Sequence, residues 1–337
     1  MIDQKLVPHV TLADGTAVPC VGTGTFASDN YTADVVSAAV EGAIRYGYRM
    51  LDCASAYGNE AEIGAVLTKL FNEGVVTRDD MFVCSKVWND MHGKGDVLIA
   101  CAKTLKDLQL DYLDMYFVHW PFPNYHAPGA SGDSRNPNSK PFSLDRYMAT
   151  WHQMERLVDM GLVKRIGMSN MTIPKLELVL PLCRIKPAMI EMEQHPCLQD
   201  QKLFDYCMER GIQPVGFCPL GSPKRPERDR APEDVADMEL PEIVEIAKAH
   251  GIHPAAVCLK WGVQRGEVVI PFSVKEKNYV SNLECVTSDP LTDEEMKIIS
   301  TLDRGCRLAR GQVFLWPGAT HWQDLWDMDG KIKGYND

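Results

Sequence analysis

Residues 48–60 read YRMLDCASAYGNE, residues 81–87 read MFVCSKV, and residues 113–120 read LDMYFVHW. Each is a short apolar run that predicts a buried strand, and each carries a polar residue at or just past its end: Asp52 and Tyr57, then Lys86, then His119. Stretches with helical periodicity separate the runs, so parallel strands alternate with helices and all strand carboxyl ends lie on one face. Four polar side chains then converge at one mouth. Any of them alone is most often a solvated loop residue or a satisfied core group; the set is what points to a site.

Working outward, strand runs are predicted at 20–26, 48–54, 81–87, 113–120, 163–169, 187–193, 213–219 and 268–273. Amphipathic helices are predicted at 32–46, 60–71, 96–108, 144–160, 174–180, 200–209 and 254–264, with a final helix at 292–302. Eight strand–helix units predict an α/β fold, a (β/α)8 TIM barrel forming one domain over residues 1–337. The barrel proper covers about 8–305, and a tail, 306–337, carries Phe314, Trp316, Trp322 and Trp326 and packs near the pocket. Ahead of the barrel, 9–12 and 16–19 flank Asp14-Gly15, a hairpin turn signal, and this hairpin is placed at the barrel floor. Two long stretches rich in proline, glycine and charge, 122–141 and 221–238, predict extended loops on the active face.

Composition narrows the function. A net charge of −11 argues against nucleic acid as a partner, since a polyanion needs a basic footprint. No run approaches the roughly 20 apolar residues that span a bilayer, and the amino terminus lacks a signal-peptide pattern, so the expected location is cytoplasmic, with no membrane partner. Eleven cysteines show no metal-like spacing; Cys53, Cys84 and Cys218, inside strand runs, are expected to be reduced and buried. A metal centre is the main rival reading for an Asp/His cluster, but one imidazole beside a lysine is a poor zinc set, and no metal is expected.

GYRMLDCA (47–54) followed by YGNE (57–60) and IG (63–64) resembles the signature of the aldo-keto reductases. Further blocks match in order: VCSKVW (83–88), VHWP (118–121), IGMSN (166–170), EQHP (193–196) and VIPFS (269–273). The resemblance implies a barrel holding NADPH or NADH across its carboxyl face and reducing a small-molecule carbonyl. It also implies roles. Tyr57 gives a proton to the carbonyl oxygen, Lys86 lowers the tyrosine pKa, Asp52 fixes Lys86, and His119 orients the substrate. On the cofactor side it implies Thr25, Asp52, Ser169, Asn170, Glu191, Phe217, Pro219, Leu220, Ser222, Ser273, Val274, Lys275, Asn278 and Asn282. Phe26, Trp88 and Trp120 are the expected pocket wall.

Three departures from the family pattern matter. Glu191 stands where most relatives have glutamine, so it accepts hydrogen bonds but as a carboxylate donates none. Phe272 and Asn278 replace the lysine and arginine that face a 2′-phosphate, which opens the way to NADH. Phe26 and Glu227 replace two pocket tryptophans, favouring an open-chain sugar or hydroxyaldehyde, with a uronate as the alternative. A catalytically quiet nicotinamide-binding or scaffold protein is the alternative of another class. A monomer or homodimer is expected.

Overall fold

Strands covered on both faces read as unbroken apolar runs rather than as alternating ones, and that is how this barrel is written. The structure is a computed structural model, which describes residues 2–26, 30–125, 135–221, 232 and 234–335. A hairpin of β1 (His9–Thr11) and β2 (Ala17–Pro19) comes first. Then β3 (Thr23–Gly24), β4 (Met50–Asp52), β5 (Phe82–Val87), β6 (Met115–Val118), β7 (Ile166–Ser169), β8 (Met189–Glu193), β9 (Gln213–Phe217) and β10 (Val268–Ile270) pair in parallel, in chain order. Val21 bridges Val269, and the amides of Gly22 and Gly24 donate to the carbonyls of Val269 and Pro271 at 3.0 Å, so first and last strands meet and the barrel closes.

Helices α1 (Ala33–Tyr46), α2 (Glu60–Asn72), α3 (Asp96–Leu108), α4 (Leu144–Asp159), α5 (Ile173–Val179), α6 (Gln201–Met208) and α8 (Pro254–Gln264) follow the predicted periodicity. So does α10 (Asp293–Ser300), started by a capping box between Thr292 and Glu295. Two more helices, α7 (Pro241–His250) and α9 (Glu276–Glu284), were not predicted. The strand ladders are shorter than the apolar runs. The largest trimming is at 20–26, where only Thr23–Gly24 forms ladder, and the run at 213–219 ends at Phe217. Cys218 corrects an expectation: it lies past the strand in a left-handed conformation (φ 54°) and is exposed, because its carbonyl accepts from the Gly221 amide in a turn.

The barrel interior is filled by Met50, Phe82, Cys84, Met115, Phe117, Met189, Val215, Val268 and Ile270, and Leu12 and Val18 of the hairpin pack on the same cluster. Gly167 is required here: a Cβ would lie 2.3 Å from the Met115 terminal methyl and 2.7 Å from the Phe117 ring. The hairpin sits at the amino ends, with Arg165, just before β7, donating to Asp14 at 2.6 Å.

The tail docks on the opposite end. Trp120 and Phe122 join Phe314, Leu315, Trp316, Leu325 and Trp326 in one cluster. Buried polar contacts fix it: Lys175 donates to Asp327 at 2.5 Å and to the Leu325 carbonyl at 2.9 Å, and the Arg307 guanidinium stacks 3.7 Å over the Trp326 ring.

Candidate active site

Side chains alternate along a strand, so the residue two past an inward apolar one also points inward, one layer nearer the mouth. Met50, Cys84, Phe117, Gly167, Met189 and Val215 are therefore followed by Asp52, Lys86, His119, Ser169, Glu191 and Phe217. This polar layer closes the apolar core at the carboxyl ends. Tyr57 reaches it from a single 3-10 turn (Ser55–Tyr57) after β4, stopped by Gly58 in a left-handed conformation. Behind it, α2 is tied down by Glu60, which accepts from Ser85 on β5 at 2.6 Å and from Thr104 on α3 at 3.0 Å.

Lys86 has no exposed surface. Its ammonium donates to Asp52 Oδ1 at 2.5 Å, to the Cys53 carbonyl at 3.2 Å and to the Tyr57 hydroxyl at 3.4 Å, and lies 3.3 Å from Glu191 Oε1. Burial alone would push the lysine pKa down; Asp52 and Glu191 outweigh it and hold the pKa well above the ordinary value, so the lysine is charged. Tyr57 departs from the expected direction. Burial, with Asp52 and Glu191 adding to it, raises its pKa above the ordinary phenol value, and the opposing pull of Lys86 is the smaller effect. The phenol is held protonated.

His119 is buried, and burial followed by the Lys86 charge keeps it far below its usual pKa, hence neutral. Its ring meets Tyr57 edge-on at 5.8 Å and Trp88 at 4.9 Å, while its Nδ1 has no partner among the described residues. Phe26, 45% exposed, stands 5.2 Å from the Tyr57 ring. Trp120 is only 8% exposed, because Phe314 packs 4.6 Å from it and Trp326 5.7 Å, so the tail covers most of that ring.

Ser169, Asn170 and Glu191 lie side by side: Ser169 is in register with Glu191, and the Asn170 side chain donates to the His119 carbonyl at 2.9 Å and to Ser169 Oγ at 3.1 Å. Asn170 Oδ1 and Glu191 Oε2 are buried and accept from no group among the described residues. Two unsatisfied acceptors at one rim suit a ligand with two N–H donors, such as a carboxamide. The Thr25 hydroxyl donates to the Asp52 carbonyl at 2.9 Å. Phe217 is half-buried, Pro219 buried, and Leu220 packs into the core under α7 and α8. Past β10, Ser273 Oγ accepts from the Lys275 amide at 3.2 Å and the Asn278 side chain at 3.1 Å. Val274 is half-buried, Lys275 exposed and Asn282 buried. Ser222 and Glu227 lie outside the described residues. Among the described residues no group of His, Cys, Asp and Glu is placed to hold a metal ion, and no helix is long and apolar enough to cross a membrane.

The pattern of the aldo/keto reductase family matches residues 20–304. The chain belongs to the aldo/keto reductase family. It is a nicotinamide-dependent oxidoreductase of the carbonyl-reducing kind. An aldo/keto reductase of Synechocystis sp. is 42% identical over 323 residues, covering 95% of this chain and 96% of the relative. Aldo-keto reductase family 1 member A1 of Xenopus tropicalis is 39% identical over 303 residues, covering 89% and 90%. The NADP-dependent D-sorbitol-6-phosphate dehydrogenase of Malus domestica is 36% identical over 301 residues, covering 88% and 94%.

One feature of this reductase was invisible in sequence. His195 Nδ1 donates to Asp237 at 2.8 Å and Nε2 to Glu193 at 3.0 Å, and Glu193 in turn accepts from the Leu308 and Ala309 amides at 2.7 Å. The network thus joins the end of β8, the residues just before α7 and the start of the tail. EQHP stood out only as a matching block, because its partners are 42 and 115 residues away. Burial opposes charging the imidazole, but Asp237 and Glu193 prevail and raise its pKa to about 9. With the folded pKa above the unfolded value, its stabilisation is complete below pH about 6.5 and disappears as pH rises through about 9. At 1.36 kcal/mol per unit this is on the order of 3 kcal/mol. We expect His195→Gln to lower urea stability by that amount at pH 6, with the gap to wild type shrinking toward pH 10; a pH-independent gap would mean that packing alone is lost.

Proposed function

We propose that this reductase converts the aldehyde of open-chain sugars or hydroxyaldehydes to the alcohol, with Tyr57 as the acid. The observation that carries the reading is the chain Asp52–Lys86–Tyr57 at the mouth of a closed barrel, beside a neutral His119. When bound, the nicotinamide supplies the hydride. Everything else falls to the side chains. Ser169, Asn170 and Glu191 would hold the carboxamide, with the unpartnered Asn170 Oδ1 and Glu191 Oε2 as its acceptors, and Phe217 would offer a ring face. His119, neutral, donates a hydrogen bond to the substrate oxygen, and Tyr57 gives that oxygen its proton as negative charge develops there. Charged Lys86 stabilises the resulting phenolate. Exposed Phe26 and half-buried Trp88 form the aromatic wall, and the tail over Trp120 narrows the remaining space. The sugar-phosphate relative of Malus domestica supports a polyol-type substrate. A uronate is the second reading. An assay over aldoses, uronates and small aldehydes tests both: turnover only with hydrophobic ketones would contradict them.

The cofactor grip after β10 points to NADH serving at least comparably to NADPH. Neither Phe272 nor Asn278 offers a cation, and the Asn278 amide is turned to Ser273. Phe272→Lys with Asn278→Arg should move preference toward NADPH by about 1.5–3 kcal/mol, the scale of charge-assisted hydrogen bonds. Wild-type preference for NADPH above about a hundredfold in kcat/KM, or about 2.7 kcal/mol at 1.36 per decade, would overturn this assignment.

A further inference from the structure

Two carboxyl groups and one ammonium are packed into the innermost part of the site. Lys86 touches both Asp52 and Glu191, at 2.5 and 3.3 Å, so the two carboxyl groups share one ammonium. All three are almost fully buried. One cation cannot neutralise two buried anions, so the arrangement favours one proton between the carboxyls. Asp52, with the closer contact to Lys86, is the better placed to stay ionised; Glu191 is the holder of the proton. A glutamine at this position could not play that part, because an amide does not titrate.

We propose that Glu191 is a positioning residue that stores the proton consumed in each reduction and returns it to Tyr57 through Lys86. The inference rests on the proposed reductase reading. The contacts give the route: Glu191 Oε1 to Lys86 Nζ is 3.3 Å, and Lys86 Nζ to Tyr57 Oη is 3.4 Å. As the substrate oxygen takes the Tyr57 proton, the Tyr57 O–H bond breaks. Lys86 passes an N–H proton to the phenolate, and Glu191 passes its carboxyl proton to the lysine. Tyr57 and Lys86 end as they began, and the net change is one neutral Glu191 carboxyl becoming a carboxylate. A carboxylate there would be favoured by the positive ring of an oxidised nicotinamide held at this site. Reprotonation from solvent follows when the oxidised cofactor leaves.

Glu191 is faced by Asp52 from β4, Tyr57 from the turn after it, and Cys84 and Lys86 from β5. Only Lys86 is cationic. Burial first, then Asp52, raises the Glu191 pKa to about 8, with Lys86 opposing. A neutral Glu191 also removes one of the two charges that hold back the Tyr57 proton's loss, so the protonated form is the one that leaves Tyr57 closer to its ordinary acidity.

The test needs no turnover. Calorimetric titration of the enzyme with oxidised and with reduced cofactor near pH 7.5, in buffers of different ionisation enthalpy, counts the protons released on binding. Wild type should release a large fraction of one proton with the oxidised form and little with the reduced form, whereas Glu191→Gln should bind both and release none beyond the reduced-form level. The wild-type preference for oxidised over reduced cofactor should grow about fivefold or more between pH 6 and pH 9, and Glu191→Gln should be flat. Equal proton release by wild type and Glu191→Gln, or none by wild type, overturns the proton-store role while leaving the reductase reading intact. Failure of the wild-type enzyme to bind either cofactor overturns both.

Discussion

Tyr57→Phe should abolish carbonyl reduction while leaving cofactor affinity within about twofold of wild type. The ring keeps its edge-on contact with His119 at 5.8 Å and its packing on Phe26 at 5.2 Å, so the fold of the mouth survives. What disappears is the hydroxyl that accepts from the Lys86 ammonium. Loss of a positioned acid typically costs 10²–10⁴-fold, and Tyr57 is held protonated by burial, so it is an acid at working pH rather than a phenolate. Steady-state kcat and cofactor fluorescence titration check this together. Turnover above half of wild type would remove Tyr57 from the chemistry.

Lys86→Met should have the second largest effect, on two observables at once. Asp52 and Glu191 lose their shared cation in a site without exposed surface, and breaking a buried pair by removing one partner typically costs about 3–5 kcal/mol. The stranded carboxyls will hold protons more tightly in the folded than in the unfolded chain, so stability falls as pH rises through and above the ordinary carboxylate range. Turnover should drop because nothing then stabilises the phenolate, and the alkaline limb of the oxidation profile should move up. Urea unfolding at pH 5 and pH 8 and a pH–rate profile read both effects. A variant with an unchanged limb and a pH-independent stability loss would show that Lys86 only fills space.

Asp52, Lys86 and His119 were legible because a barrel strand announces itself as an apolar run, and a polar residue two positions past its last inward apolar residue can only face the mouth. Tyr57 joined that set by lying just past the same run, and its role as the acid came from the resemblance. The pairing of Glu191 with Lys86 was not legible, because β5 and β8 are three strands apart in the barrel and only closure brings their inner layers together. The sign of the Tyr57 shift was misjudged for the same reason: burial and a second carboxylate outweigh one ammonium, and both come from the assembled site. Cys218 looked like strand core until the left-handed turn ended β9 one residue earlier. Helix α9 escaped because its sequence, EKNYVSNLE, buries only Tyr279, Asn282 and Leu283, too few apolar positions to show a period. Trp120 looked like a pocket wall, yet Phe314 and Trp326, nearly two hundred residues away or more, cover it.

The central claim is that this mouth moves a hydride to a carbonyl carbon while Tyr57 supplies the proton. The most direct measurement is a single-turnover reaction of an aldose aldehyde with reduced cofactor carrying deuterium at its transferable position, followed by mass analysis of the alcohol. The account predicts one deuterium on the former carbonyl carbon with the wild-type enzyme, and no alcohol on the same timescale with Tyr57→Phe. Alcohol formed without carbon-bound deuterium, or formed equally fast by Tyr57→Phe, would contradict it.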